Sequence, residues 1–183
     1  MDALPPSVKG SVEKSDDSSL TIDKGTYAQG VKLQLVNRAS VNIGENCNLG
    51  LLEIYSNGGG VEIGNGVNIN GWVRIYNHEG HFTRIGHHCL VGGLTVISTS
   101  DMHSIVDRHG RRINYGKDIR IGNRVWIGEH CYILKGATIG DGSIVGACAV
   151  VSASLRANEN CLIAGNPGRI IKKRVTWDFE RLP

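Results

Sequence analysis

His103 begins a polar segment, residues 103–120, that interrupts an otherwise regular chain. A histidine with a pKa near neutrality can take a proton from an attacking group and return it to a leaving group. Asp101 lies two residues earlier, and on an extended strand the two side chains would share one face. Its carboxylate could orient the imidazole, as in catalytic triads, or could only accept backbone hydrogen bonds at a corner. His103 is therefore a candidate general base; a plain surface histidine in the loop is the alternative.

The chain around this segment repeats every six residues. From residue 121 onward the first position of each group is Ile or Val in seven of eight groups, and the fifth position is mostly small. Period six fits neither the 3.6-residue helix nor strand alternation. It predicts a solenoid whose coils of three groups stack at about 4.8 Å, the spacing of paired strands. Stacking would bury one continuous column of β-branched side chains.

Weaker copies of the repeat begin at Ile43, Ile63 and Ile85, at intervals slightly longer than three groups. These intervals predict coils of three groups with short bulges, such as NGGG at 57–60. An imperfect first coil is expected at Ile22. The predicted organisation has four parts: a polar N-terminal arm or capping strand (1–19), a β-helix (20–168), an extended loop within it (103–118) and a short basic C-terminal tail (169–183).

The five cysteines include no CxxC pair, and their odd number does not suggest a disulfide framework. Four of them occupy the fifth position of a group and are therefore predicted to be small buried core residues: Cys47, Cys89, Cys131 and Cys161. A catalytic thiol is the less favoured interpretation, because no surroundings that would lower its pKa are visible.

Composition narrows the class of protein. The chain has 183 residues with 25 glycines and only 5% aromatic residues, which suits a thin, tightly wound domain. A net charge of +3 does not indicate a nucleic-acid partner. No stretch reaches the roughly 18 apolar residues of a membrane span. The first residues lack the apolar region of a signal peptide, so we expect a cytoplasmic protein.

Groups of the form [LIV]-[GAED]-x-x-[STAV]-x resemble the hexapeptide repeats of left-handed parallel β-helix acyltransferases. Within that family, residues 97–173 are similar to the maltose and galactoside O-acetyltransferases. The similarity consists of the loop histidine, then GKDIRIGNRVWIG at 116–128, then IAGNPGRIIKK at 163–173. The sequence TSDMHSI at 99–105 resembles that of bacterial capsule and lipopolysaccharide O-acetyltransferases.

This resemblance implies an all-β, left-handed parallel β-helix that acts as an acetyl-CoA-dependent O-acetyltransferase on a sugar hydroxyl, without a metal. It further implies a homotrimer with active sites between subunits and a place in bacterial surface polysaccharide biosynthesis. The backbone amide of Glu129 would stabilise the oxyanion, and Trp126 would line the acyl or sugar pocket. The other positions expected to contact acetyl-CoA are Ala147 and Ser152 for the pantetheine arm, and Arg169 and Lys172 for the phosphates.

The acceptor side is less defined. Trp72 could stack on a sugar, since rings pack against apolar sugar faces, and Asn70 lies beside it; packing between coils is the plainer role for Trp72.

Three alternative functions stay open. An N-acetyltransferase for a nucleotide-linked amino sugar shares the fold and donor but usually carries an N-terminal domain. A γ-carbonic-anhydrase-like metal protein is suggested by IGHHC at 85–89, although position 93 is Gly rather than His. A scaffold without activity would need only the repeat.

Overall fold

The computed structural model describes residues 4–181. Residues 1–3 of the predicted arm and 182–183 of the predicted tail lie outside the described residues. Within residues 4–181 the chain forms nineteen strands and no helix. The strands are β1 (Val8–Lys14), β2 (Ser19–Ile22), β3 (Tyr27–Val36), β4 (Ser40–Ile43), β5 (Asn48–Asn57), β6 (Gly60–Ile63), β7 (Asn68–Asn77), β8 (Phe82–Ile85), β9 (Leu90–Val91), β10 (Thr95–Ser98), β11 (Ile119–Ile121), β12 (Trp126–Ile127), β13 (Tyr132–Leu134), β14 (Thr138–Ile139), β15 (Ile144–Val145), β16 (Val150–Val151), β17 (Arg156–Ala157), β18 (Cys161–Ala164) and β19 (Arg169–Lys173).

These strands stack into a parallel solenoid with three faces. Face 1 contains the first halves of β3, β5 and β7, followed by β9, β12, β15 and β18. Face 2 contains the second halves of the same long strands, followed by β10, β13 and β16. Face 3 contains β2, β4, β6, β8, β11, β14 and β17. Every strand pair is parallel except β18–β19, so the predicted parallel β-helix is confirmed and is consistent with the left-handed form.

The core is built from three columns of apolar side chains, one on each face. On face 3, for example, Ile22 pairs with Ile43, and the column continues through Ile63 and Ile85 to Ile121. Ile22 therefore occupies the predicted repeat position, but the stack already includes β1 from Val8 and β2 from Ser19, so the first coil begins earlier than expected. A β-branched residue at each position suits this stacking, because its stiff side chain packs against the copies above and below.

The extra residues of the longer coils are absorbed at corners. At 57–60, Gly58 and Gly59 adopt φ values of 69° and 65°. A Cβ on Gly59 would lie 2.0 Å from the carbonyl oxygen of His81 in the next coil. Only glycine fits there, which explains the NGGG bulge that the spacing predicted.

The predicted core cysteines are confirmed: Cys47, Cys89, Cys131 and Cys161 are buried. Burial raises the pKa of the Cys89 thiol to about 11, since an apolar interior disfavours the charged thiolate. Cys148, in contrast, is exposed at a corner.

The first and last strands of the described residues both pack on the solenoid. At the first end, β1 pairs in parallel with β3. At the other, β19 turns back antiparallel to β18. Trp177 then lies 8% exposed and donates its indole N–H to the carbonyl oxygen of Arg124 at 2.6 Å. Its ring centroid lies 6.1 Å from that of Trp126, so the tail reaches back across two coils to face 1. Among residues 4–181, no helix is long and apolar enough to cross a membrane.

Candidate active site

The segment after β10 forms a narrow ribbon at the corner between faces 2 and 3. Ile97 and Ile121 are separated by the length of four groups, although they lie on successive strands of faces 2 and 3. Val106 and Arg112 form an antiparallel bridge, and the amide of Ile113 donates to the carbonyl of Ile105 at 2.9 Å. The predicted loop is thus folded back on itself, with His103 at its base.

Glu79, from the coil before the loop, anchors the ribbon. Its carboxylate accepts hydrogen bonds from Arg112 Nη2 at 2.6 Å, from the Ser100 hydroxyl and from the Gly116 amide at 3.2 Å. Arg112, and after it Ser100, lower the pKa of this carboxyl to about 2. Glu79 therefore remains ionised over the whole physiological range and holds both ends of the loop.

The Asp101 carboxylate contacts Lys135 and Asn114 rather than the His103 imidazole. Its Oδ2 accepts hydrogen bonds from Lys135 Nζ and, at 2.8 Å, from Asn114 Nδ2. Lys135 is the main cause of the lowered pKa of this carboxyl. The strand ends at Ser98 and Met102 adopts a φ of 62°, so Asp101 and His103 do not share a strand face. The expectation that an extended strand places both side chains on one face is therefore wrong.

His103 is exposed, and its backbone is fixed on both sides. Its amide donates to the carbonyl of Asp101 at 2.7 Å, and its carbonyl accepts from Asn114 Nδ2 at 2.8 Å. Within residues 4–181, its imidazole makes no hydrogen bond. The ring nitrogens are therefore available to a ligand, as a general base requires.

A second feature, the corner groove, lies where face 1 meets face 2. Its volume is about 490 Å³, and it is lined by residues 70, 90, 92, 126, 128–129 and 144–147. Four predicted site residues meet in it: Asn70, Trp126, Glu129 and Ala147. Trp126 is 40% exposed and forms an aromatic wall, one side of which packs on Trp177.

The corner groove presents backbone donors. In the part of the chain that the structure describes, the amides of Glu129 and Ala147 donate to no acceptor. A Cβ on Gly128 would lie 2.7 Å from the amide nitrogen of Ala147, and a Cβ on Gly92 would lie 2.7 Å from that of Glu129. The glycine of the VWIG stretch therefore lets successive coils stack tightly beside unpaired amides. Such amides can bind a carbonyl or stabilise an oxyanion.

The other predicted site residues lie elsewhere. Ser152 lines a separate cavity of about 430 Å³ together with Asp101 and Lys135. Trp72 lines an apolar groove further along the solenoid, with the Arg74 guanidinium 4.8 Å from its ring centroid. The two cations, Arg169 and Lys172, are exposed on β19.

Within a single chain, the loop and the corner groove are separate in space. The two features occupy opposite ends of face 2, separated by the four residues of β10, which span roughly 13 Å at about 3.3 Å per residue. The cavities that contain Asp101 and Trp126 share no lining residue.

Four residues that organise the loop were not predicted: Glu79, Arg112, Asn114 and Lys135. Charged residues on the coils flanking an interruption are a usable signal for Glu79 and Lys135, which lie in the coils before and after it. Nothing in the sequence distinguishes Asn114 from other loop residues. Among residues 4–181, no cluster of three or more His, Cys, Asp or Glu side chains is placed to hold a metal ion. His81 instead pairs with Asp118 at 3.1 Å.

Comparison with known proteins agrees with this architecture. Residues 118–153 match the bacterial transferase hexapeptide family, described by six repeats. No curated protein sequence matches the chain significantly. Among solved structures, the polysialic acid O-acetyltransferase OatWY is 27% identical, with a TM-score of 0.68 over 96% of this chain and 92% of that one.

Two further structures share the fold. The polySia-specific acetyltransferase NeuO is 24% identical, with a TM-score of 0.60 over 96% of this chain and 91% of its own. A galactoside acetyltransferase in complex with coenzyme A is 22% identical, with a TM-score of 0.53 over 85% of this chain and 64% of its own. The predicted resemblance is thus confirmed: residues 118–153 carry the bacterial transferase hexapeptide repeat, and the chain shares its fold with these acetyltransferases.

Proposed function

We propose that this chain is an acetyl-CoA-dependent O-acetyltransferase that modifies a sugar hydroxyl of a bacterial surface polysaccharide in the cytoplasm. The observation that carries the proposal is the likeness to OatWY over 96% of the chain at 27% identity. Because OatWY acts on polysialic acid, we propose a polymeric glycan rather than a free sugar as the acceptor. The exposed loop histidine and the amide-lined corner groove support this assignment.

His103 acts as the general base. Its imidazole takes the proton of the sugar hydroxyl as the hydroxyl oxygen bonds to the acetyl carbonyl carbon. The carbon–sulfur bond then breaks, and His103 returns the proton to the departing thiolate, so that the products are the acetyl ester and free thiol. The imidazole suits this role because it is exposed and unpaired while its backbone is held in place.

The corner groove holds the donor. The Glu129 amide is placed to stabilise the oxyanion, and the Ala147 amide, one coil further on, to bind a carbonyl of the pantetheine arm. Arg169 continues in the same direction, because it pairs with Ala164 one coil beyond. It and Lys172 supply the positive charge that CoA phosphates need. The unpaired amides and exposed cations of this face therefore fit acetyl-CoA.

The complete site needs two copies of the chain, since the loop and the groove lie at opposite ends of face 2. We propose the homotrimer that the resemblance implies, with the loop of each copy reaching the corner groove of its neighbour. Exposed apolar side chains on the ribbon, Ile105, Val106 and Ile113, provide surface for that contact.

The test measures thiol release from acetyl-CoA with oligosialic acid, neutral glycans and no acceptor. Wild type is compared with His103→Ala and with the matched control His109→Ala, at the tip of the same ribbon. We expect His103→Ala to reduce acceptor-dependent kcat by about 10²–10⁴-fold and His109→Ala to leave it within about twofold. Acetyl transfer that survives His103→Ala would remove the histidine from its role, and the absence of transfer to any glycan would refute the function.

Subunit complementation tests the shared site. His103→Ala and Glu129→Pro are each expected to be inactive alone. Co-refolded in equal amounts, they should recover about a quarter of wild-type activity, because random assembly gives that share of sites two intact halves. No recovery in a mixed oligomer verified by mass spectrometry would contradict sites between copies.

A further inference from the structure

The side chain of Asn114 lies at the centre of the segment that carries His103. It is 8% exposed, although it belongs to a loop whose other members are mostly exposed. Its Nδ2 donates to Asp101 Oδ2 and to the His103 carbonyl, both at 2.8 Å. Its Oδ1 accepts from the Ile105 amide at 2.7 Å. Residues 101–105 therefore wrap around a single amide group.

This amide has little freedom of its own. The backbone carbonyl of Asn114 accepts a hydrogen bond from Lys135 Nζ at 2.9 Å, and the same ammonium also binds the Asp101 carboxylate. Lys135 directly follows β13, so it belongs to the rigid coil that comes after the loop. Arg112 Nε donates to Asn114 Oδ1 at 3.3 Å and is itself held by Glu79. Asn114 is thus tied to the coil on either side of the loop.

The chemistry of the contacts requires an amide. Nδ2 has two protons and serves two acceptors, whereas Oδ1 accepts from a backbone N–H. A carboxylate of the same shape would keep the bond from Ile105, but would place a negative acceptor against the Asp101 carboxylate and the His103 carbonyl. Alanine would lose all of these side-chain bonds and leave the His103 carbonyl and the Ile105 amide without this partner.

We propose that Asn114, held by Lys135, is the positioning residue that fixes the backbone of His103 and so places its imidazole for proton transfer. That Asn114 fixes the backbone of His103 rests on geometry alone. That this places the imidazole for proton transfer rests on the proposed function. A displacement of about 1 Å at a reacting group can cost on the order of 10²-fold in rate. Asn114 acts through the backbone of His103.

The experiment compares Asn114→Ala and Asn114→Asp with Asn77→Ala. Asn77 is a matched control because it is also buried and its amide also links backbone and side-chain groups, but within the coils rather than the loop. Both Asn114 variants should lower kcat about 100-fold while KM for acetyl-CoA stays within about threefold. Asn77→Ala should lower Tm but leave kcat of the folded protein within about twofold.

Two further measurements separate positioning from general destabilisation. In a His103→Ala background, Asn114→Ala should change the residual rate by less than about twofold, because residues that act as one unit are not additive. Amide hydrogen exchange at Ile105 should speed up at least about tenfold in Asn114→Ala, which loses the acceptor for this amide. Asn114→Asp keeps that acceptor, so exchange at Ile105 should rise less in this variant.

The outcomes are distinct. Unchanged exchange at residues 103–105 in Asn114→Ala, or wild-type kcat in Asn114→Asp, would overturn the proposal. If wild type transfers acetyl to no acceptor, the proposed function fails, and the exchange result alone decides whether Asn114 fixes this backbone.

Discussion

The unpaired amide of Glu129 gives a test that separates backbone from side chain. Replacing Glu129 by proline removes the N–H, whereas replacing it by alanine removes only the carboxylate. Because this N–H donates to no acceptor within residues 4–181, the substitution breaks no hydrogen bond of the fold. Glu129 also precedes His130, which has a φ of 57°, and proline is favoured directly before the left-handed residue of a type II turn.

The expected magnitude follows from the loss of one oxyanion donor, which costs about 10²–10³ in kcat, or roughly 2.7–4 kcal/mol at about 1.36 kcal/mol per tenfold. Glu129→Pro should therefore lower kcat by about this factor. Glu129→Ala should stay within about threefold of wild type, since the carboxylate is exposed and, within residues 4–181, makes no ion pair.

The assay is thiol release from acetyl-CoA at saturating donor and acceptor, with circular dichroism and thermal unfolding to confirm that each variant retains the solenoid. A folded Glu129→Pro variant with the kcat of Glu129→Ala would refute the role of this amide. If alanine alone abolishes activity, the carboxylate rather than the amide takes part.

Two further predictions concern stability and thiol reactivity. The pKa of Glu79 lies at about 2, below its usual value of 4.5, so its stabilising effect is present above pH 4.5 and is lost as pH falls toward 2. Glu79→Gln should lower the free energy of unfolding at pH 7 by on the order of 1 kcal/mol after allowance for solvent screening. In urea titrations this difference between wild type and variant should shrink as pH falls below 4.5 and vanish near pH 2; equal pH dependence in both proteins would contradict the anchor. With a thiol reagent at pH 8, a single thiol of the native protein should react fast, because Cys148 is exposed while burial raises the pKa of Cys89 to about 11. Cys148→Ser should remove this fast phase. A second fast-reacting thiol in the native protein would disprove the burial of the other four cysteines.

The repeat made the coils predictable because each group of six residues has the same local pattern. A β-branched first residue and a small fifth residue recur, and the resulting pairs, such as Ile121 with Ile139, follow from the spacing alone. The N-terminal residues were harder, because VKGSVEK at 8–14 is half polar and could form an arm or a strand. Its pairing with β3 depends on an open sheet edge, which is a tertiary property that the local sequence does not encode.

The site was predictable where backbone geometry repeats, and unpredictable where the loop departs from it. Trp126, Glu129 and Ala147 meet in the corner groove because positions three groups apart lie directly above one another. A continuing strand would place Asp101 and His103 on one face, but Met102 adopts a left-handed conformation that turns the chain between them. A single left-handed methionine carries no composition signal, since such residues are held by their surroundings rather than by preference.

The length of the interruption explains how a solenoid can carry a loop without losing its register. Ile85 and Ile121 are separated by twice the length of a regular coil, yet they pair as direct neighbours on face 3. The extra residues must therefore leave and rejoin at one corner, where the loop ends are tied by Glu79 from the coil before and by Lys135 from the coil after. Closing such a loop costs entropy that grows only slowly with its length. The ion pairs thus need only fix the conformation of the loop, and the stacked columns maintain the fold. We therefore expect substitutions at Glu79 and Lys135 to affect the loop, and with it His103, more than the stability of the coils.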